Sequence, residues 1–385
     1  MAQTTDSALI GSKPHYLLLD ALRGVAALCV MWYHVFEAFA TTPYDQGFNH
    51  GYMAVDFFFI LSGFVIGYAY DDRFRAGEGR MTTADFIRRR FVRLHPMMVA
   101  GALIGLVTYV IQGCVRWDGT HVEALPILIA VVLNLLMLPV IPGTSADVRG
   151  NTEMYPLNGP SWSLFFEYIG NLLYVFLVRR LSTRALTWWV VVMGAALAAY
   201  SLLSASGYNH IGVGWSLTAL NFPGGLLRVS FSMSLGLLLS RRFRPIRVKG
   251  AFVWCAVALV LLFAVPYVSI AGQTWVNSLY EMLLLCVVFP LVVVLSASAR
   301  PAAQGAEDKV CRFLGDISYP LYAVHYPFMY LFYAWVWKNR ATFAESVPVV
   351  IVLLLWNIVV AYLCWRFYDV PVRRYLSRRV AKRQN

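Results

Sequence analysis

Residues 16–39 read YLLLDALRGVAALCVMWYHVFEAF, an apolar run long enough to cross a membrane that nevertheless carries Asp20, Arg23, His34 and Glu37. About twenty apolar residues span a hydrocarbon core of roughly 30 Å as a helix, and ionisable groups at that depth are costly enough to need a reason. Helical geometry supplies one. Arg23 and His34 are eleven positions apart, so at 100° per residue they lie only about 20° apart in azimuth and about 16 Å apart along the axis. Asp20 and Glu37 fall within about 60° of Arg23. One polar seam therefore runs the length of an apolar helix.

Working outward, the pattern of apolar runs recurs at about 52–70, 97–115, 124–141, 161–178, 186–204, 217–240, 251–271, 276–297, 317–337 and 346–366, eleven segments in all. The chain of 385 residues is 59% hydrophobic and 14% charged, too apolar for a soluble domain, whose apolar share is near half and charged share near a quarter. The sequence thus predicts an all-α polytopic membrane protein. Arg and Lys gather at 73–93, 179–184, 241–249, 300–312 and 366–383, and the positive-inside rule puts all five clusters in the cytoplasm. Parity breaks only if both 97–115 and 124–141 cross. About ten transmembrane helices plus one re-entrant or interfacial segment, with both termini cytoplasmic, satisfy it. The organisation expected is one membrane domain over 16–370, an N-terminal tail over 1–15 and a basic C-terminal tail over 371–385.

The net charge of +12 raises nucleic acid as a partner, but the basic residues flank apolar runs instead of lining one amphipathic face. They act as topology determinants, and the lipid bilayer is the partner. Six Cys lie scattered at 29, 114, 255, 286, 311 and 364, with no CxxC or His-rich spacing, so neither a disulfide nor a metal site is expected. Ala38-Phe39-Ala40 superficially matches a signal-peptidase site. Asp20, Arg23, Trp32 and His34 are foreign to a cleaved signal segment, so the run is read as retained.

Several other residues have the chemistry for a site. His34 is the side chain best suited to act as a base near neutral pH; the alternative is a buried imidazole bonded to a neighbouring helix. Asp56, in GYMAVDFFFILSGFVIGYAY, either pairs with His34 or faces outer water, and Ser62-Gly63 marks close helix packing. Arg88, Arg89, Arg90 and Arg93 end the polar 71–96 loop, where they either grip phosphates bidentately or serve topology and anionic lipid. Glu167, in YPLNGPSWSLFFEYIGNLLY, falls at the level of His34 and either orients its imidazole or is satisfied by Tyr and Asn neighbours. His325, behind Pro320 in ISYPLYAVHYPFMYLF, has a structural reading at least as strong as a functional one.

Four stretches in this order, LDALRGVAALCVMWYH, AVDFFFILSGFVI, RRRFVRLHP and WSLFFE followed far downstream by ISYPLYAVHYP, resemble the acyltransferase 3 family over about residues 16–370. These are the transmembrane enzymes that O-acylate exopolysaccharides, O-antigens, nodulation factors and macrolides. The resemblance implies ten membrane helices in a bacterial inner membrane, His34 as the catalytic imidazole, Arg23 as its motif partner, and Arg90 and Arg93 as the pair that uses acyl-CoA at the cytoplasmic face. It implies an O-acetyltransferase with acetyl-CoA as co-substrate and no permanently bound cofactor. The expected acceptor is a glycan or lipid-linked sugar. Two departures stand out: no extracytoplasmic hydrolase-like block follows the bundle, and Ala21 stands where Gly is common. The expected catalytic set is His34, Arg23 and Glu167, the donor-binding set Arg90 and Arg93. The alternative, a secondary transporter or flippase, normally shows repeated halves with broken helices; no such repeat is found here, and the Arg-rich inner loop has no counterpart in the second half. Acceptor identity, acyl length, direct transfer against an acyl-imidazole intermediate, and oligomeric state stay open.

Overall fold

The computed structural model describes residues 16–75, 81–246, 248–299 and 305–382; the expected N-terminal tail lies outside them. The helices are α1 Leu17–Glu37, α2 Ala54–Arg75, α3 Thr83–Ile111, α4 Ala124–Leu135, α5 Ser161–Phe176, α6 Thr183–Leu202, α7 Asn221–Arg242, α8 Ala251–Phe263, α9 Trp275–Ser298, α10 Ala306–Val324, α11 Tyr326–Asn339, α12 Phe343–Cys364 and α13 Val370–Lys382. Among the described residues β-structure is limited to isolated bridges. The surface is inverted relative to a soluble protein. Leu125, Leu261 and Val352 are more than 60% exposed, while Asp56, Arg228 and Glu281 are fully buried. Apolar side chains outside and charged ones inside make sense only against hydrocarbon. Among the described residues eight helices, α1, α2, α3, α5, α6, α7, α9 and α12, are long and apolar enough to cross a membrane. The 12 residues of α4 reach about 18 Å, short of the roughly 30 Å core.

Local sequence explains three features that position the site. First, Thr82 and Asp85 close a capping box, which starts α3 well before its apolar stretch. The basic residues expected in a 71–96 loop therefore stand on a helix, and Arg88 to Arg93 share its rigid frame. Second, Gly63 on α2 faces Gly236 on α7 across a close crossing: a Cβ on Gly63 would collide with the Met233 carbonyl, and one on Gly236 with that of Ile60. The packing role expected of Ser62-Gly63 is fulfilled by the glycine. Third, Pro320 sits inside an unbroken α10, and the helix breaks instead at His325. Pro327 has no N–H to bond the Ala323 carbonyl. Asn158 Nδ2 takes that carbonyl at 2.8 Å and holds the break open.

Among the described residues the core holds four apolar clusters, and Phe58 and Tyr319 pack against both of the larger two. The basic segment expected as a tail is helical in α13. Its Arg373 and Ser377 help wall the cavity described next.

Candidate active site

Arg23 extends from α1 to α10, with Nη2 2.7 Å from Asp20 and Nε donating to Ser318 Oγ at 3.0 Å. Across from it, Arg90 Nη2 on α3 lies 2.6 Å from Glu167 on α5, and Arg90 Nε donates to Asn171 Oδ1 at 2.8 Å. Ser62 donates to the same Glu167 oxygen at 2.8 Å. These groups front a cavity of about 260 Å³ whose charged lining is Asp20, Arg23, Arg89, Arg90, Arg93, Glu167 and Arg373. Five cations against two anions leave it three positive charges in excess, a field suited to phosphate. The rest of the wall is largely apolar, with Leu19, Phe59, Leu61 and Val65 along it. The cavity thus combines a cluster of cations able to hold a polyanion with apolar wall.

His34 stands further along α1, outside the cavity wall. Its Nδ1 lies 2.7 Å from Glu37 Oε2, one turn on. A carboxylate only accepts, so Nδ1 is the nitrogen that donates in this contact. Tyr333 and Tyr326 donate to the same Glu37 oxygen at 2.8 and 3.2 Å, which fixes the carboxylate and through it the imidazole. His34 stacks on His325 with ring centres 5.4 Å apart. His325 Nδ1 contacts the Leu321 and Tyr322 carbonyls at 3.0 Å each. Its own Nε2 is buried without a partner.

Arg23, Arg90, Arg93 and Glu167 thus line one cavity, while His34 is separate. The expected placing of Glu167 against His34 is not found. Glu167 is held by Arg90, a cation that outcompetes a neutral ring for a carboxylate, and Glu37 takes the imidazole. Sequence alone contained the correct partner, since Glu37 is three residues from His34 on the same seam.

Asp56 likewise meets neither His34 nor outer water. Its oxygens accept from Arg228 at 3.1, 3.2 and 2.6 Å, and Arg228 also donates to the Val213 carbonyl at 2.5 Å. Glu281 stands nearby, receiving the Ile211 N–H at 2.8 Å and contacts from Tyr52 and His50. Arg228 and Glu281 were both readable as ionisable residues inside apolar runs. A further charged group surrounds Tyr330: the Arg149 guanidinium lies 3.5 Å from its ring centre, and its hydroxyl donates to Glu153. Burial in this loop pushes the Glu153 carboxyl up to about 7.

A family model described as an acyltransferase domain matches residues 16–366. The acyltransferase MdmB of Streptomyces mycarofaciens is 28% identical over 330 residues, 80% of this chain and 77% of that protein. Protein 2 in picA locus, from Rhizobium radiobacter, is 35% identical over 198 residues, half of this chain and 95% of that protein. No solved structure matches the chain. A match over nearly the whole helical bundle, with the family's four motifs in order, identifies the chain as a polytopic membrane protein of the acyltransferase 3 family.

Proposed function

We propose that this protein is an O-acyltransferase that moves an acyl group, acetyl in the first instance, from cytoplasmic acyl-CoA to a hydroxyl of a cell-surface polysaccharide or its lipid-linked precursor. The observation that carries this reading is the cavity in which Arg23, Arg90 and Arg93 meet beneath the His34–Glu37 pair. In the proposed topology the chain crosses the bacterial inner membrane ten times, with both termini and the Arg90 end of the cavity facing the cytoplasm. CoA phosphates bind Arg90 and Arg93, and the pantetheine arm follows the apolar wall toward His34.

Chemistry then needs one base. His34 Nε2 takes the proton of the acceptor hydroxyl as that oxygen bonds to the thioester carbonyl carbon. The C–S bond breaks, and the imidazolium returns the proton to the leaving thiolate, giving ester and free CoA. Glu37 stabilises the imidazolium and keeps Nδ1 protonated throughout, in the manner of a carboxylate that orients a catalytic His. Glu167 acts on the donor side, as the group that aims Arg90. The test is transfer from labelled acetyl-CoA by purified protein in nanodiscs to an envelope fraction of its deletion strain, followed by mass spectrometry of the glycans. Acetyl ester on glycan is the expected product. Labelled donor that is neither consumed nor bound would refute the reading.

A further inference from the structure

Arginines from three helices line the cavity, and in each case a carboxylate aims the guanidinium: Asp20 lies 2.7 Å from Arg23 on α1, Glu167 lies 2.6 Å from Arg90 on α3, and Asp369 lies 2.8 Å from Arg373 on α13. The first two arginines belong to the acyltransferase 3 motifs. Arg373 lies beyond residue 366, where the family match ends, and so inherits no role from it.

The sequence of α13 explains why this arginine faces inward. Trp365–Asp369 form a single π turn between α12 and α13, an irregularity frequent at functional sites. It sets the buried Asp369 one turn ahead of Arg373. Arg373, Ser377 and Val380 then follow at spacings of four and three, which is one face of a helix, and together they wall the cavity over about 10 Å. Arg374, Arg378 and Arg379 are exposed on the rest of the surface. Of the arginines of α13, Arg373 alone lines the cavity. The start of α1 and the end of α2 lie at the same end of the bundle as α13, and they add the rings of Tyr16, Tyr68 and Tyr70 to the lining.

We propose that Arg373 holds the 3′-phosphate of CoA, so that the enzyme recognises the nucleotide end of its donor as well as the pantetheine end. The assignment rests on the acyl-CoA reading above, in which the pyrophosphate sits on Arg90 and Arg93 and the pantetheine arm runs toward His34. Ribose and adenine hang from the other side of the pyrophosphate. They therefore fall at the cytoplasmic end of the cavity, against the inward face of α13 and the tyrosines. A phosphate monoester there carries about −1.5 to −2 charge at pH 7 and calls for a cation of its own. The planar fork of Arg373 suits it, and Asp369 fixes the direction of that fork as Glu167 fixes that of Arg90.

The experiment measures kcat/KM from thiol release by nanodisc-embedded protein, with acetyl-CoA and acetyl-3′-dephospho-CoA as donors and the envelope fraction of the deletion strain as acceptor. Wild type should prefer acetyl-CoA by roughly tenfold or more. Arg373→Ala should erase that preference by losing rate on acetyl-CoA while its rate on the dephospho donor stays near wild type, and Arg373→Lys should keep part of it. Arg373→Gln carries the same test if the alanine variant does not insert. Arg378→Ala removes the same charge from the exposed face of α13 and should leave the preference whole. Equal use of the two donors by wild type would overturn the assignment, as would an Arg373→Ala variant that keeps the preference or loses both donors alike. All three results leave the donor reading intact. A wild type that releases thiol from neither donor would overturn the donor reading, and the role of Arg373 with it.

Discussion

Two ion pairs inside this bundle have the same closest approach, 2.6 Å, and opposite surroundings. Arg228 and Asp56 are 1% and 0% exposed, and their remaining hydrogen bonds go to backbone carbonyls and Ser232. Arg90 and Glu167 are 12% and 17% exposed and front the cavity, with Ser62 and Asn171 aiming them. The first pair is satisfied wholly by protein and cements α2 to α7. The second has donors left over and space before them. An ionisable residue at membrane depth is thus a functional candidate by default, but whether it works on a ligand or on the fold depends on what occupies the other side of its guanidinium.

The largest effect belongs to neither pair. His34→Ala removes the base and should cut transfer by about 10²- to 10⁴-fold with membrane insertion intact. Activity within tenfold of wild type would remove His34 from catalysis. Next is Arg228→Met, which strands the Asp56 carboxylate in a dry interior. Breaking a buried pair by removing one partner costs about 3 to 5 kcal/mol, so the yield of folded, monodisperse protein in detergent should collapse. A stable, well-folded variant would show that water reaches Asp56.

A smaller and more discriminating effect separates the two carboxylates that sequence could not tell apart. Glu37→Gln alters the group on His34 Nδ1 and should move the pH profile of kcat, whereas Glu167→Gln should leave that profile in place and raise the KM for acyl-CoA. The reverse outcome would restore Glu167 to the imidazole. The smallest effect is on stability. Burial raises the Glu153 carboxyl from 4.5 to about 7, so the folded protein binds this proton more tightly than the unfolded chain does. Its contribution is complete below the unfolded value and is lost as pH rises through about 7. Glu153→Gln should therefore gain melting temperature over wild type at pH 8 relative to pH 5.5. An equal difference at both pH values would mean that the carboxyl is ionised in the folded protein throughout.

How much of this was legible beforehand follows from distance along the chain. The seam of Asp20, Arg23, His34 and Glu37 lies within one helix, and periodicity alone found it. The structure then joins Asp20 to Arg23 and His34 to Glu37 within that seam. Apolar runs likewise marked the eight helices long enough to cross, apart from the early start of α3, which the Thr82–Asp85 box sets; the runs at 124–141 and 251–271 gave only the short α4 and α8, and the run at 317–337 is broken at His325, where Pro327 sets the break. Partners between helices were not legible. Arg90 with Glu167, and Asp56 with Arg228, are separated by 77 and 172 residues. A helix presents its side chains to several neighbours, and only the packing of Gly63 against α7 and the reach of α3 toward α5 decide which neighbour is met. Arg228 and Glu281 are different: their depth in apolar runs was visible, and the signal lay unread.

On the proposed donor site, the Arg90–Glu167 pair serves a ligand. The most direct measurement is the KM for acetyl-CoA of Arg90→Ala, taken beside the melting temperature of the same preparation. Loss of one charge-assisted contact of about 1.5 to 3 kcal/mol should raise that KM roughly tenfold or more. The KM for the acceptor and the melting temperature should stay near wild type, because the Glu167 carboxylate faces a cavity that water can fill. An unchanged KM for acetyl-CoA, accompanied by a large fall in melting temperature, would make this pair a second copy of Arg228–Asp56 and the cavity no donor site.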